Sequence, residues 1–188
     1  MDYVKEVENY VMDRIKWHKE TADDHFDFWN EHIKYVYTEA IKLAEKYNAD
    51  SEIVKIGALL HDIALINKVG TKVDHHINGA KIAAEVLTKL QYPHNRIQRV
   101  VGCVYNHRSS KNATNIDELC VADGDILAHF DNIPMLFDIM FNVRGMQLAE
   151  GREEMKKYIE KDYNDLSDRT KKVFKDRYEV IKDVLIAK

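Results

Sequence analysis

Apolar residues recur at helical spacing along most of this chain. Val4, Val7, Tyr10, Val11 and Ile15 form one stripe with charges between them, which predicts a first amphipathic helix. A second helix is expected from about Phe28 to Tyr47, carrying Ile33, Val36, Tyr37, Ile41, Leu43 and Ala44. The polar break Asn48-Ala49-Asp50-Ser51 follows, and Asp50 or Ser51 suits the cap of a third helix through Ile53, Ile56, Leu59 and Leu60. Gly70-Thr71 marks a loop, and a fourth amphipathic stretch runs from about His75 to Leu90. Tyr92-Pro93 breaks it, with Pro93 suited to the first turn of a helix carrying Ile97, Val100, Val101 and Val104. Ser109 to Thr114 reads as a polar loop. Asn115 with Glu118 resembles a capping box opening a helix through Leu119 to Phe130. Two more amphipathic segments are expected at about Met135–Gln147 and Glu153–Tyr163, and Ser167 caps a last helix ending near Leu185.

No apolar-polar alternation competes with this pattern, and no repeat or flexible linker interrupts it. The expectation is an all-α, single-domain helical bundle over residues 1–188. Its chemistry-bearing core spans about residues 20–140, with a helical extension over 141–188 that covers the core and walls the site.

Composition narrows the function. The chain has 188 residues with 28 Lys and Arg against 32 Asp and Glu, a net charge of −4. No basic excess invites a phosphate backbone, so nucleic-acid binding is not expected. The 45% of hydrophobic residues supplies a sizeable core. Only two cysteines occur, Cys103 and Cys120, outside any CxxC motif, which argues against a disulfide framework or a thiolate zinc site. The uncharged run Val100 to His107 is far short of the roughly 20 apolar residues that cross a bilayer. The start Met1-Asp2-Tyr3-Val4-Lys5-Glu6 has no basic region followed by an apolar block, so a cytoplasmic location is expected. The apolar helices are compatible with a homodimer, which composition does not decide.

Nine histidines carry the candidate chemistry. His61-Asp62 directly follows the apolar run Ile56-Gly57-Ala58-Leu59-Leu60. Adjacent helical side chains differ by about 100° in direction, so both reach one metal only if it lies in the wedge between them. A histidine with a carboxylate suits Mn, Fe, Co, Ni or Zn and leaves coordination positions for water. Taken alone, the pair reads as the end of a buried helix face. It has company: His32 lies on the preceding helix and Asp125 on a later one.

The order His32, His61-Asp62, Asp125 resembles the H…HD…D signature of the HD superfamily of metal-dependent phosphohydrolases. His25-Phe26-Asp27-Phe28-Trp29 is similar to the entry helix of stand-alone members. Ala58-Leu59-Leu60-His61-Asp62-Ile63-Ala64 is similar to the central motif, and His75-His76-Ile77-Asn78-Gly79-Ala80 to the following H-x-x-x-G-A segment. Val121-Ala122-Asp123-Gly124-Asp125-Ile126-Leu127 resembles the D-A-D-x-L segment. Two departures stand out: Tyr35 replaces an arginine of H-x-x-R-V, and Ile126 replaces that of D-A-D-R-L. Any phosphate contact those arginines make comes from elsewhere or is absent. Asp125 matches the ligand position. Asp123 points about 200° away from it on a helix and orients a neighbour or caps.

The resemblance implies a divalent metal (Mn, Fe, Co, Ni, Zn or Mg) on His32, His61, Asp62 and Asp125. It implies hydrolysis of a phosphate ester or anhydride by a metal-activated water, with a nucleotide as the substrate class and Asp62 combining ligand and base roles. Extra histidines leave alternatives open. His75 and His107 either ligate a second metal or contact substrate phosphate, and His76 reads as a substrate contact, bonding phosphate or lining the pocket wall. His25 is a candidate pocket residue. Lys68, Arg108 and Lys111 are candidate phosphate contacts that read equally as solvated loop residues. His18 is expected at the surface. His129 shares a face with Asp125 and is expected in the core, with a hydrogen bond within the site as the alternative. Trp17 and Trp29 are expected as packing residues, with base stacking as the alternative. Two other functions stay in view: an HD-fold sensor that holds nucleotide or metal without turnover, and a di-iron HD-type oxygenase.

Overall fold

A computed structural model describes residues 2–22 and 26–185. The chain folds as one all-α domain, with no strand among the described residues. Its elements are α1 (Tyr3–Thr21), a π-helical turn (Phe28–Ile33) running into α2 (Lys34–Tyr47), α3 (Ser51–Leu60), the short α4 (Ile63–Ile66), α5 (His75–Lys89), and α6 (His94–Asn106). A 3-10 turn (Ser110–Asn112), α7 (Ile116–Asp131), α8 (Ile133–Phe137), a second π-helical turn (Asp138–Val143), α9 (Leu148–Asp165) and α10 (Asp168–Leu185) complete it. No helix among the described residues is long and apolar enough to cross a membrane.

The expected caps form. Asp50 rather than Ser51 caps α3, accepting from the Ile53 amide at 3.3 Å. Asn115 caps α7, accepting from the amides of Asp117 and Glu118 at 3.0 and 3.2 Å. Glu118 reaches back one residue further than a capping box requires, to the Thr114 amide at 2.7 Å. Asn48 ends α2 in the left-handed region at φ 57°.

Three boundaries differ from the sequence reading. The second helix opens as a π turn, with the Lys34 amide bonded to the Trp29 carbonyl. The third breaks at His61-Asp62, between α3 and α4. The segment expected at Met135–Gln147 is two short pieces, and α9 starts at Leu148 instead of Glu153. α9 carries a poor helix former, Gly151, where a Cβ would collide with the Phe141 ring.

The packing places the site. α2 lies along α7, and Gly124 lets them approach so closely that a Cβ would stand 2.9 Å from the Ala40 backbone nitrogen. Asn132, at the end of α7, donates to the Glu31 carbonyl at 2.8 Å and so pins the turn holding His32. Asp123 faces away from Asp125. It accepts from Ser110, from the Ser167 amide and hydroxyl at 2.9 and 2.5 Å, and from the Thr170 hydroxyl at 2.6 Å. One buried carboxylate thereby docks the start of α10 onto α7. His18 corrects the surface expectation: it is buried, its Nδ1 lies 2.9 Å from the Ile66 carbonyl, and its ring meets Phe28 edge-on at 5.0 Å. α1 lies against α4, which turns this position inward.

Candidate metal centre

Chain breaks and helix ends supply most of the polar side chains at the centre. His32 comes from the π turn before α2, and π turns re-aim side chains by inserting an extra residue per turn. His61 and Asp62 occupy the break between α3 and α4, where the helix no longer forces their side chains apart. His75 opens α5, His107 ends α6, and Asp125 projects from the middle of α7.

Asp62 stands between two groups. Its Oδ2 is 3.5 Å from His61 Nε2 and 3.7 Å from His32 Nε2. Asp125 Oδ1 closes that side, 3.0 Å from His32 Nε2 and 3.8 Å from His61 Nε2. The other oxygen of Asp62, Oδ1, faces His75 Nε2 at 3.3 Å and His107 Nε2 at 3.7 Å. One carboxylate thus addresses two donor sets, one with each oxygen.

The imidazole protons decide what such sets can hold. Nδ1 of His61, His75 and His107 each lies 2.6–2.8 Å from a carbonyl three residues earlier, on Ala58, Lys72 and Val104 respectively. A carbonyl only accepts, so Nδ1 carries the hydrogen and the neutral ring presents a lone pair at Nε2. His75 and His107 aim those lone pairs at each other across 2.9 Å. His61 Nε2 faces His32 Nε2 across 3.1 Å. The lone pairs of His75 and His107 repel at 2.9 Å unless a cation or proton lies between them, whereas His32 Nε2 is also placed to donate to Asp125 Oδ1 at 3.0 Å. Donors held about 2.0–2.2 Å from a single ion stand roughly 3–4 Å apart. The donor sets therefore suit a metal ion on each side of Asp62.

The electrostatics agree. Burial raises the Asp62 and Asp125 carboxyls, but the surrounding imidazoles outweigh it and hold both below the usual carboxylate range. Burial pushes His107 down to about 4, with His61 adding to the effect. His107 is then neutral at neutral pH, as a ligand must be. The sign for stability follows. A histidine ordinarily near pH 6.5 that titrates near 4 when folded contributes stability fully present above pH 6.5 and lost as pH falls toward 4. We expect the urea midpoint of metal-free protein to fall across that window, and His107→Gln to flatten the slope there. Equal slopes in the two proteins would refute this assignment.

The same arrangement answers the question of kinship. Residues 29–170, which contain all six of these side chains, match the family model of the HD domain. The chain belongs to the HD domain family. Solved structures share the fold. A predicted HD superfamily hydrolase from an uncultured Thermotogales bacterium is 23% identical, with TM-score 0.61, over 96% of this chain and 88% of that one. YpgQ of Bacillus subtilis is 17% identical, with TM-score 0.71, over 97% of this chain and 91% of that one. YpgQ in complex with ADP is 18% identical, with TM-score 0.66, over 93% of each chain.

Three of the loop candidates have partners of their own. Lys68 donates to the Thr21 carbonyl at 2.6 Å and lies over Trp17. Arg108 donates to the Val73 carbonyl at 2.8 Å. Lys111 pairs with Asp165 at 2.7 Å. His76 is half-buried beside Tyr105, and its buried Nδ1 has no hydrogen-bond partner. His25 lies outside the described residues. Of the two roles open to His129, the structure places it beside the site rather than in the core: it stacks on His32 with ring centroids 5.5 Å apart and pairs with Asp162 at 2.8 Å. Burial opposes a charge on His129, but Asp162, Asp125 and Asp62 outweigh it and raise its pKa. The spacing of His129 one turn after Asp125 was a usable signal, whereas nothing local marked Asp162.

Proposed function

We propose that this HD domain is a metal-dependent phosphohydrolase acting on a phosphate ester or anhydride of a nucleotide. The observation that carries the reading is Asp62, with each oxygen facing its own set of imidazole lone pairs. His32, His61 and Asp62, with Asp125 beside His32 and His61, would hold one divalent metal, and Asp62, His75 and His107 a second. When bound, metal at this place supplies a Lewis acid that lowers the pKa of water and polarises a phosphoryl oxygen.

The chain's own groups support that chemistry. Asp62 and Asp125 are kept ionised and bring negative charge to the ligand sets. The fixed Nδ1 bonds hold three imidazoles in one orientation, so little reorganisation is needed on binding. Asp62 would also be the carboxylate placed to take up a proton from water, combining ligand and base roles. A nucleotide is favoured as substrate class because YpgQ, which shares the fold, has been solved with ADP.

The test is elemental analysis of protein purified without chelator or affinity metal, followed by phosphate and pyrophosphate release across a nucleotide panel. About two metals per chain and steady release are expected. Metal-free protein that stays empty after incubation with manganese would overturn the reading. Metal and nucleotide binding without release would favour a sensor. Iron with oxygen consumption and no phosphate release would favour the oxygenase.

A further inference from the structure

One more histidine lies against the centre, and its surroundings repeat the design of the others. His129 follows Asp125 by one turn on α7, so both project from one face of that helix. A ring nitrogen of His129 lies within 4.8 Å of the donor atoms of both His32 and Asp125. Its Nδ1 is 2.8 Å from Asp162 Oδ2, and Asp162 is buried at 6% exposure on α9. The ring is held on two more sides, stacked 14° from parallel on His32 and met edge-on by Tyr158 at 5.5 Å.

A carboxylate only accepts, so Nδ1 carries the hydrogen toward Asp162. The nitrogen left over is Nε2, which has no hydrogen-bond partner among the described residues. A carboxylate behind Nδ1 orients an imidazole and makes its other nitrogen a stronger donor, the arrangement typical of a metal-ligating histidine. Carbonyls do the same behind His61, His75 and His107.

We infer that His129 is a further protein ligand of the ion held by His32, His61, Asp62 and Asp125, with Asp162 as its positioning residue. This rests on the metal centre of the proposed function and goes beyond the four ligands of the HD signature. It also assigns a preference. Three imidazoles and two carboxylates on one ion favour iron, cobalt, nickel or zinc over magnesium, which prefers oxygen donors and retained water.

The experiment uses the whole chain loaded with cobalt(II), as wild type, His129→Gln and Asp162→Asn. Cobalt content, cobalt affinity by competition with a chelating dye, and the visible absorption spectrum are measured. His129→Gln is expected to weaken binding of one cobalt at least about tenfold and to change the spectrum, because a lower coordination number alters the cobalt absorption. Asp162→Asn keeps the imidazole but removes its support, and is expected to weaken the same ion by about 10–100-fold or less. It also serves as the second probe should the glutamine variant fold poorly. Unchanged affinity and spectrum in both variants would overturn the inference while leaving the metal centre intact. A wild type that binds no cobalt would instead remove the proposed function beneath it. Unchanged cobalt binding with weaker inorganic phosphate binding would also overturn it, placing His129 on the substrate side.

Discussion

Replacing Asp62 by asparagine is expected to empty both metal positions at once. Each of its oxygens faces a different set, His32 and His61 on one side and His75 and His107 on the other. An amide keeps the shape but offers one weaker acceptor oxygen and turns an NH2 toward the other set. The variant should fold, since asparagine is nearly the same size, and a thermal midpoint within a few degrees of metal-free wild type checks this. Metal per chain should drop from about two to near zero. His75→Asn should lose one ion and His61→Asn the other, so the aspartate variant differs in kind from either. On the phosphohydrolase reading, activity should fall by at least about 10²–10⁴-fold, the range for losing an acid-base group, with loss of metal adding to it. Full metal content in Asp62→Asn would show that Asp62 is not the ligand shared by the two positions. Retained metal with lost activity would reduce Asp62 to a base.

The second large effect concerns a residue with no side chain. Gly124→Ala restores the alanine of the D-A-D pattern and is nevertheless expected to destabilise this protein. Alanine gains about 1 kcal/mol over glycine in an exposed helix interior. Here its Cβ would stand 2.9 Å from the Ala40 backbone nitrogen and 3.0 Å from its Cα, atoms that no rotamer change can move. Overpacking of this kind costs about 1–3 kcal/mol, enough to cancel or exceed the gain. The displacement falls between α2, which continues directly from the π turn bearing His32, and α7, which bears Asp125. Their 3.0 Å approach should open and metal affinity should fall at least about tenfold. The checks are a urea midpoint and a metal competition titration. A higher midpoint with unchanged affinity would show that α2 and α7 separate freely.

The sequence pattern made the helices legible because each buries one apolar stripe, and stripes at helical spacing are visible without knowing what they pack on. The candidate ligands stood out for a different reason: His32, His61-Asp62 and Asp125 resemble a family signature in order. The π turn at Phe28–Ile33 was hidden because a single turn of altered pitch leaves the apolar spacing almost unchanged. The break after His61-Asp62 was hidden because Ile63-Ala64-Leu65-Ile66 continues the apolar run. Asp162 lies 33 residues from its partner His129, and only the return of α9 brings them together. Lys68, Arg108 and Lys111 were read by type alone, and type does not reveal that nearby carbonyls and Asp165 already engage them.

The facing imidazoles of His75 and His107 have a consequence outside catalysis. A cation that binds only the folded chain stabilises it by RT ln(1 + [L]/Kd), about 2.7 kcal/mol when its free concentration is a hundred times Kd. That is a substantial share of the 5–15 kcal/mol that holds a typical domain folded. On the proposed reading, the supply of free metal in the cell sets how long each molecule survives degradation. Starvation for that metal would register first as a shorter lifetime of the chain, and the pool of enzyme would shrink along with its turnover.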